Sequence, residues 1–338
     1  MQPVVRVLVV DDSAFARKVL TEILRSAGID VVGIARDGLE ALEQIAELKP
    51  DVITLDLVMP NLDGIGVLSA LPKEHTPRVV VVSMSHEESE LGVEALQRGA
   101  TTVVQKPTAL ATDRLYELKD DVVRAVREAA LARYIASPAT IDPVEAGRAL
   151  RTDLVVIGTS TGGPQALTRL LAALPGDFPV PLAIALHIPV GYTEELAKRL
   201  NQSCAIDVAE ASEGLPLRPG LAVLARGGRH LKFSRRDSVT RAVLDYEPIG
   251  ETHSPSVDVL FESAAEHHGG RVLGVVLTGM GSDGLRGSRA IHAAGGRIIT
   301  QTEQSCVVYG MPRVVKEAGL AESEARLEDM ALTIAQHL

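Results

Sequence analysis

Residues 4–13 read VVRVLVVDDS, an apolar run that ends in two aspartates and a serine. A valine-rich run without alternation is typical of a strand buried on both faces of a parallel sheet. Ser13 is a residue type that caps helices, and it predicts a helix running from there towards Ala27-Gly28. The stretch therefore predicts the first strand and the first helix of an α/β domain.

The same order recurs through the first half of the chain. Further strands are predicted at Val31–Ile34, Val52–Leu55, Val79–Val82 and Val103-Val104, and helices near Leu39–Leu48 and Tyr116–Arg133. Five strands with helices between them fit a doubly wound, flavodoxin-like parallel domain, predicted at residues 1–129. Residues 130–150 change character, with Pro138 and Pro143 among alanines, and predict a partly helical linker.

The second half, residues 151–338, repeats this order with other strands. Strands are predicted at Leu154–Ile157, Leu182–Leu186, Ala222–Leu224, Val272–Leu277 and Arg297–Thr300, and helices at Pro164–Leu174 and Thr193–Asn201. Gly227-Gly228 and Arg236-Asp237 are interpreted as hairpin turns that join antiparallel strands to the sheet. The predicted fold class is α/β with two doubly wound domains, the second a Rossmann-like, mostly parallel sheet with a β-hairpin.

Composition limits the class of protein. The chain has 338 residues, of which 46% are hydrophobic and 3% aromatic, so two domains with aliphatic cores are expected. Its net charge of −10 disfavours nucleic-acid binding, which depends on cationic contacts to phosphate. No apolar run approaches the ~20 residues of a membrane helix, and no signal-peptide pattern opens the chain. We expect a cytoplasmic protein without direct membrane insertion.

Polar side chains follow four strands of the first half, namely Asp11-Asp12, Asp56, Ser83 and Lys106. Ligands of open α/β sheets bind outside the carboxyl ends of the strands. Three carboxylates there would repel one another without a divalent cation, and oxygen ligands suit Mg²⁺. Lys106 and Ser83 would suit a phosphoryl group, and Asp56 a nucleophile that forms an aspartyl-phosphate. Helix capping is the simpler explanation for any one of these residues, though not for all of them.

The first half resembles the receiver domain of bacterial response regulators. The matching segments are Val9–Ser13, Asp56–Gly64, Ser83–Ser85 and Lys106-Pro107. The resemblance implies these roles: phospho-acceptor Asp56, Mg²⁺ ligands Asp11, Asp12 and Asp56, and phosphoryl contacts Ser83 and Lys106. One departure is Val103, where receivers often carry an aromatic residue that moves on activation.

The second candidate site begins at Gly158–Gly162, between a predicted strand and a predicted helix. These residues fit G-x-S-x-G, in which a sharp turn exposes the serine, here Ser160, above the sheet. By itself the motif suits phosphate binding equally well. Among nine histidines, His187 directly follows a buried strand and is the candidate base. Asp283, in a glycine-rich loop after another strand, is the candidate acid, although a turn residue is the simpler explanation for it alone.

Other histidines allow further interpretations. His267-His268 invites a metal site, but no third ligand lies nearby in the sequence. His253 lies in a polar loop and could contact a substrate.

The order Ser, His, Asp along the chain differs from that of the α/β-hydrolases. Instead, the second half resembles the catalytic domain of the chemotaxis methylesterases, the CheB family. The matching segments are Ser160–Gly163, His187–Pro189, Gly191–Thr193, Pro255–Asp258, Leu277–Gly284 and Tyr309–Pro312. Ile188 and Ser282 stand where the family commonly has Met and Asn, and neither replaces a candidate catalytic group. With the receiver half, the resemblance covers nearly the full length.

The resemblance implies a phosphorylation-activated hydrolase that demethylates glutamate γ-methyl esters of chemoreceptors, and deamidates receptor glutamines, in chemotaxis adaptation. It implies an oxyanion hole made by the backbone N–H groups of Thr161 and Met280, and no cofactor for the esterase chemistry. A chemotaxis histidine kinase is the implied phosphodonor, with Mg²⁺ at the receiver site. We hypothesise that the unphosphorylated receiver covers the esterase crevice and that phosphorylation of Asp56 relieves this.

Two other classes of function are considered. A catalytically silent, phosphorylation-switched binding module is disfavoured because Ser160, His187 and Asp283 are all present. A DNA-binding response regulator is disfavoured because the chain is acidic and shows no helix-turn-helix pattern.

Overall fold

The chain divides into two compact units, Met1–Tyr134 and Ile135–Leu338. The computed structural model describes residues 4–72, 75–84, 89–106, 118–133 and 151–338. The predicted motif residues Ser85 and Pro107, and positions 134–150 of the predicted linker, lie outside the described residues.

The first unit alternates strands and helices along the chain. Its elements are β1 Arg6–Val10, α1 Ala14–Ser26, β2 Asp30–Ala35, α2 Gly38–Leu48, β3 Val52–Leu55, α3 Gly64–Ala70, β4 Arg78–Met84, α4 Ser89–Gln97, β5 Thr102–Lys106 and α5 Lys119–Leu131. The strands form one parallel sheet in the order β2-β1-β3-β4-β5. The predicted five-stranded parallel sheet is confirmed.

The local sequence explains how this sheet positions its polar edge. Ser13 caps α1, and its side chain accepts a hydrogen bond from the Ala16 backbone N–H. Strand β1 pairs with β3 so that Val10 lies beside Leu55, which brings the residues that follow each strand to neighbouring positions. The valines of β1 and β4 are buried, as expected for strands covered on both faces.

The second unit is larger. Its elements are β6 Leu154–Thr159, α6 Gly163–Ala172, β7 Leu182–Leu186, α7 Tyr192–Ser203, β8 Asp207–Glu210, β9 Leu221–Leu224, β10 His230–Arg236, β11 Val239–Asp245, α8 Val257–His268, β12 Val272–Val276, α9 Leu285–Ala293, β13 Arg297–Gln301, α10 Met311–Glu317, β14 Ser323–Ala325 and α11 Met330–Gln336. Seven strands form a parallel sheet in the order β14-β13-β12-β6-β7-β9-β8, and β10 pairs with β11 in an antiparallel hairpin. The predicted parallel sheet with a hairpin is confirmed.

Two details of this prediction are wrong. The edge strands β8 and β14 are not predicted, because both are short and partly polar and lack the apolar run that marks a buried strand. The hairpin turns between Arg236 and Val239 and forms a sheet of its own instead of joining the large one, so Gly227-Gly228 is not a hairpin turn. Its apolar side packs on α8 instead, where Phe233 N donates to Ser263 Oγ at 2.9 Å and Leu231 and Phe261 share one core.

Strand β6 lies at the centre of the large sheet, between β12 and β7, and is buried along its whole length. A Cβ atom on Gly158 of this strand would lie 2.2 Å from Val257 Cγ1. Glycine at this position therefore lets the start of α8 approach the end of the central strand. Within the described residues, no helix combines the length and the apolar character that crossing a bilayer requires.

Candidate active site

Ser160 lies in the turn between β6 and α6. Its backbone N–H donates to the Thr278 carbonyl at 3.0 Å, and its own carbonyl accepts from Gly163 N at 2.7 Å. Gly162 has a φ of +80°, a conformation that favours glycine, and a Cβ there would lie 2.6 Å from the Val307 side chain. The predicted strand–serine–helix turn is therefore present, with Ser160 half-buried at the carboxyl end of the central strand.

His187 and Asp283 meet at the same sheet edge. Strand register pairs Thr159 with Leu186, so Ser160 and His187 follow neighbouring strand ends. Nε2 of His187 lies 2.8 Å from Asp283 Oδ2. Nδ1 of His187 is buried and has no hydrogen-bond partner among the described residues, and Ser160 Oγ makes no hydrogen bond to it there. The structure thus joins the predicted base and acid directly, and leaves one ring nitrogen of the base available.

Asp283 also caps helix α8. Its carboxylate accepts hydrogen bonds from Ser256 Oγ at 3.0 Å and from the backbone N–H groups of Val257 and Asp258 at 2.8 Å each. Burial by itself would raise the pKa of Asp283, but the hydrogen bonds from His187 and these N–H groups outweigh it and lower the pKa to about 2. Asp283 is therefore ionised at neutral pH, as an orienting acid must be.

A second aspartate, Asp258, caps the helix that follows Asp283. Oδ1 of Asp258 accepts from the backbone N–H groups of Gly284 and Gly287 at 2.9 and 2.7 Å, at the start of α9. Burial raises the pKa of Asp258 to about 6, and the charge of Asp283 adds to the rise. Each aspartate thus caps the helix that begins near the other, but of the two only Asp283 is bonded to His187.

Sequence reasoning missed two residues that hold this site together. Ser256 donates to Asp283 and also caps α8, and a serine directly before a helical stretch was the available signal. Thr278 Oγ1 donates to the Thr161 carbonyl at 3.0 Å and accepts from Val308 N at 3.0 Å. No local sequence pattern indicates that Thr278 contacts Thr161, because the two residues are 117 positions apart in the chain.

The predicted oxyanion residues lie beside the serine. Thr161 directly follows Ser160, and Met280 follows Gly279, whose missing side chain lets it contact Ser160. The Gly279 carbonyl accepts from the backbone N–H groups of Gly310 and Met311 at 3.0 and 2.9 Å, which fixes the loop that carries Met280.

The first unit contains the predicted acidic cluster. Carboxylate oxygens of Asp11, Asp12 and Asp56 lie within 4.8 Å of one another, and this is the one group of potential metal ligands among the described residues. Among the described residues, no group of three such ligands includes His267 or His268. Mg²⁺ takes oxygen ligands, carboxylates among them, so the residues fit the predicted ion.

Lys106 lies within this cluster. Its Nζ is 2.6 Å from Asp11 Oδ2 and 2.8 Å from Asp56 Oδ2. Burial raises the pKa of Asp56 to about 6 against the opposing charge of Lys106. Burial also acts to lower the pKa of Lys106, but the charges of Asp11 and Asp56 outweigh it and raise that pKa. Ser83 is buried at the end of β4, beside Gln105 of β5.

These features define a class: a receiver-type unit with an acidic, lysine-bearing sheet edge, joined to an α/β unit with a serine turn and a His–Asp pair. The receiver domain of response regulators matches residues 7–117, and the CheB methylesterase domain matches residues 155–334. The chain belongs to the CheB family, the receiver-regulated protein-glutamate methylesterases/protein-glutamine glutaminases of chemotaxis adaptation. The predicted family, activity class and fold are confirmed.

Individual relatives support the assignment over the whole chain. A protein-glutamate methylesterase/protein-glutamine glutaminase of Myxococcus xanthus is 62% identical, over 99% of this chain and 98% of its own length. One of Lawsonia intracellularis is 40% identical, over 98% of this chain and 99% of its own length. Among solved structures, the chain is similar to the crystal structure of the Thermotoga maritima CheB methylesterase catalytic domain, with a TM-score of 0.54 and 34% sequence identity. The match covers 55% of this chain and 99% of the Thermotoga chain.

Proposed function

We propose that this chain demethylates glutamate γ-methyl esters, and deamidates glutamines, on chemoreceptors in the cytoplasm. Ser160 acts as the nucleophile, His187 as the general base and Asp283 as the acid that orients it. The observation that carries the proposal is the 2.8 Å contact between His187 and Asp283, at the strand end next to Ser160. We assign the chemistry to residues 151–338 and its control to residues 1–129, with 130–150 as the linker.

The hydrogen bond to Asp283 decides which nitrogen of His187 acts as the base. Because an ionised carboxylate can only accept, Nε2 carries the proton and Nδ1 keeps its lone pair. In the proposed reaction, Nδ1 takes the proton of Ser160 Oγ as the oxygen attacks the carbonyl carbon. Nδ1 then returns this proton to the methoxy oxygen, and methanol leaves. Water then attacks the acyl-enzyme and loses a proton to Nδ1, which passes it to Ser160 Oγ as the glutamate leaves. From glutamine, ammonia leaves in the first step instead of methanol.

The backbone around Ser160 is proposed to stabilise the negative oxygen of the tetrahedral intermediate. The N–H groups of Thr161 and Met280 would donate to it, and such a donor is typically worth about 2.7–4 kcal/mol. The Thr278 hydroxyl supports this role because it donates to the Thr161 carbonyl at 3.0 Å and so restrains the residue whose N–H would donate to the oxyanion.

Gly279→Ala is expected to lower kcat by about 10²-fold, because small displacements of a reacting group cost this much. The new Cβ would lie 2.4 Å from Met311 Sδ and 2.8 Å from Ser160 Cβ, so the serine must shift relative to the loop that carries residue 279. Methanol release measures the rate, and thermal unfolding checks that the variant is folded. An unchanged kcat would show that the close approach of Gly279 to Ser160 does not position the nucleophile.

The receiver site is proposed to control this activity. Asp56 accepts a phosphoryl group from a chemotaxis histidine kinase, and Ser83 and Lys106 contact that group. Asp11, Asp12 and Asp56 would hold Mg²⁺, which neutralises the charge of the incoming phosphoryl group. The Lys106 ammonium, already between Asp11 and Asp56, is placed to pair with a phosphoryl oxygen on Asp56.

The test is methanol release from a methylated cytoplasmic receptor fragment, with Mg²⁺ present and with or without acetyl phosphate. For the wild type we expect acetyl phosphate to raise the rate about 5- to 150-fold, the usual range of coupling between two sites. Asp56→Asn is expected to release methanol at the unstimulated rate under both conditions. Stimulation of the Asp56→Asn variant would place the phospho-acceptor elsewhere, and no release by the wild type would contradict the proposed substrate.

A further inference from the structure

His253 packs against the proposed catalytic base. Its ring stacks on the ring of His187, with centroids 3.8 Å apart and planes inclined by 19°. At this separation the two rings are in van der Waals contact. One face of the base is therefore covered by a second imidazole, contributed by the loop before α8.

The stack matters because hydrogen bonding alone does not orient the His187 ring. Among the described residues the ring makes one hydrogen bond, from Nε2 to Asp283, and none from Nδ1. The bond to Cβ and a single hydrogen bond at Nε2 hold the ring at two points, so the ring can still turn about the line that joins them. Proton transfer from Ser160 to Nδ1 requires hydrogen-bond distance and alignment, and such a rotation would change both.

The loop that carries His253 is anchored on both sides of the site. The Ser254 carbonyl accepts from Gly228 N at 3.0 Å, and Ser256 N donates to Nδ1 of the buried His230 at 3.2 Å. Ser256 Oγ donates to Asp283 Oδ1 at 3.0 Å. Asp283 therefore bonds both the ring of His187 and the loop that carries His253. These hydrogen bonds fix the positions of the two rings relative to each other.

We propose that His253 is a positioning residue, whose ring holds the imidazole of His187 in the plane where Nε2 meets Asp283 and Nδ1 faces Ser160. The proposal rests on the proposed role of His187 as the base. The role requires a flat ring in contact with His187 and no proton transfer by His253, so another aromatic side chain should perform it. Contact with substrate is the competing role, because His253 also lines a cavity of about 270 Å³ together with Met280 and Asp283.

The test compares three substitutions in the full-length, phosphorylated enzyme with a methylated receptor fragment. His253→Ala and His253→Gln are expected to lower kcat by about 10²-fold, the usual cost of a misplaced reacting group, with KM nearly unchanged. His253→Phe, which keeps a flat ring, is expected to retain most of the wild-type kcat. His267→Ala is the matched control, because His267 bonds the Ser263 carbonyl at the far end of α8.

A second readout follows the His187 ring itself. The ¹⁵N NMR signals of its imidazole should show one tautomer, protonated at Nε2, in the wild type and in His253→Phe. In His253→Ala the same signals should show exchange between ring orientations. This measurement needs no turnover, and together with thermal unfolding it separates loss of position from loss of fold.

Two results would overturn the proposal. A raised KM with unchanged kcat in His253→Ala would assign His253 to substrate binding. A His253→Phe variant as slow as His253→Ala would show that a stacked ring is not what the site requires. Failure of the proposed function is a separate outcome, since it would appear as activity that survives the loss of the Ser160 hydroxyl.

Discussion

Ser160→Ala is expected to lower the rate of methanol release by roughly 10⁴- to 10⁶-fold, the range found when a member of a serine triad is removed. In the proposed reaction the Ser160 hydroxyl oxygen is the nucleophile, and alanine has no hydroxyl to replace it. The substitution leaves the fold intact, because the contacts of Ser160 to Thr278 and Gly163 use backbone atoms that alanine also has. We therefore expect the melting temperature of the variant to match that of the wild type.

The control for this prediction is Ser203→Ala, which removes a hydroxyl from the exposed end of α7. Both variants would be assayed with Mg²⁺ and acetyl phosphate, so that the receiver is in the same state. The Ser203→Ala rate should equal that of the wild type. Equal rates for Ser160→Ala and the wild type would place the nucleophile at another residue.

Asp283→Asn is expected to lower kcat by about 10⁴-fold, as loss of the orienting carboxylate does in other triads. Oδ2 of Asp283 accepts from both His187 Nε2 and Val257 N, each at 2.8 Å. An amide nitrogen at this position would face two donors, and rotation of the amide would only move the conflict to Oδ1, which accepts from Ser256 and Asp258. In either orientation α8 loses part of its cap, and His187 loses the negative charge that would stabilise its protonated ring during the reaction.

The same variant should also lose stability. An unsatisfied buried donor costs about 1–3 kcal/mol, so unfolding should require less denaturant. Because the pKa of Asp283 lies below its ordinary value, at about 2, its carboxylate stabilises the fold above about pH 4, and this stabilisation is lost as the pH falls towards 2. The difference in stability between the wild type and Asp283→Asn should therefore be largest at pH 7 and become smaller in acid.

Asp258→Asn is the matched control for Asp283→Asn. Its Oδ1 accepts both of its backbone hydrogen bonds, so an amide oxygen can take over this role, and kcat should stay within a few-fold of the wild type. Since burial raises the pKa of Asp258 from its ordinary value to about 6, the wild type loses stability as the pH rises from about 4 to 6. Asp258→Asn should therefore gain stability relative to the wild type as the pH rises from 4 to 7. Equal losses of kcat in the two variants would contradict a special role for Asp283.

Local sequence accounts for most of the fold. The apolar runs of β1, β4, β6 and β7 predicted the central strands, because strands covered on both faces need apolar residues throughout. The short edge strands β8 and β14 were not predicted because polar residues are tolerated in strands at the edge of a sheet. The position of the hairpin was not predicted either. It packs on α8 through the contact of Phe233 with Ser263, which are 30 positions apart in the chain.

The sequence by itself determined that Ser160 lies in a tight turn after a buried strand, and that Asp11, Asp12, Asp56 and Lys106 end strands of one parallel sheet. These are local properties, set by apolar runs, glycines and the direction of the strands. Only the tertiary structure decided that His187 bonds Asp283 through Nε2, across 96 positions of the chain, and that His253 covers the ring. Hydrogen bonds and stacking act over a few ångströms, so partners distant in sequence are defined only when packing brings them together.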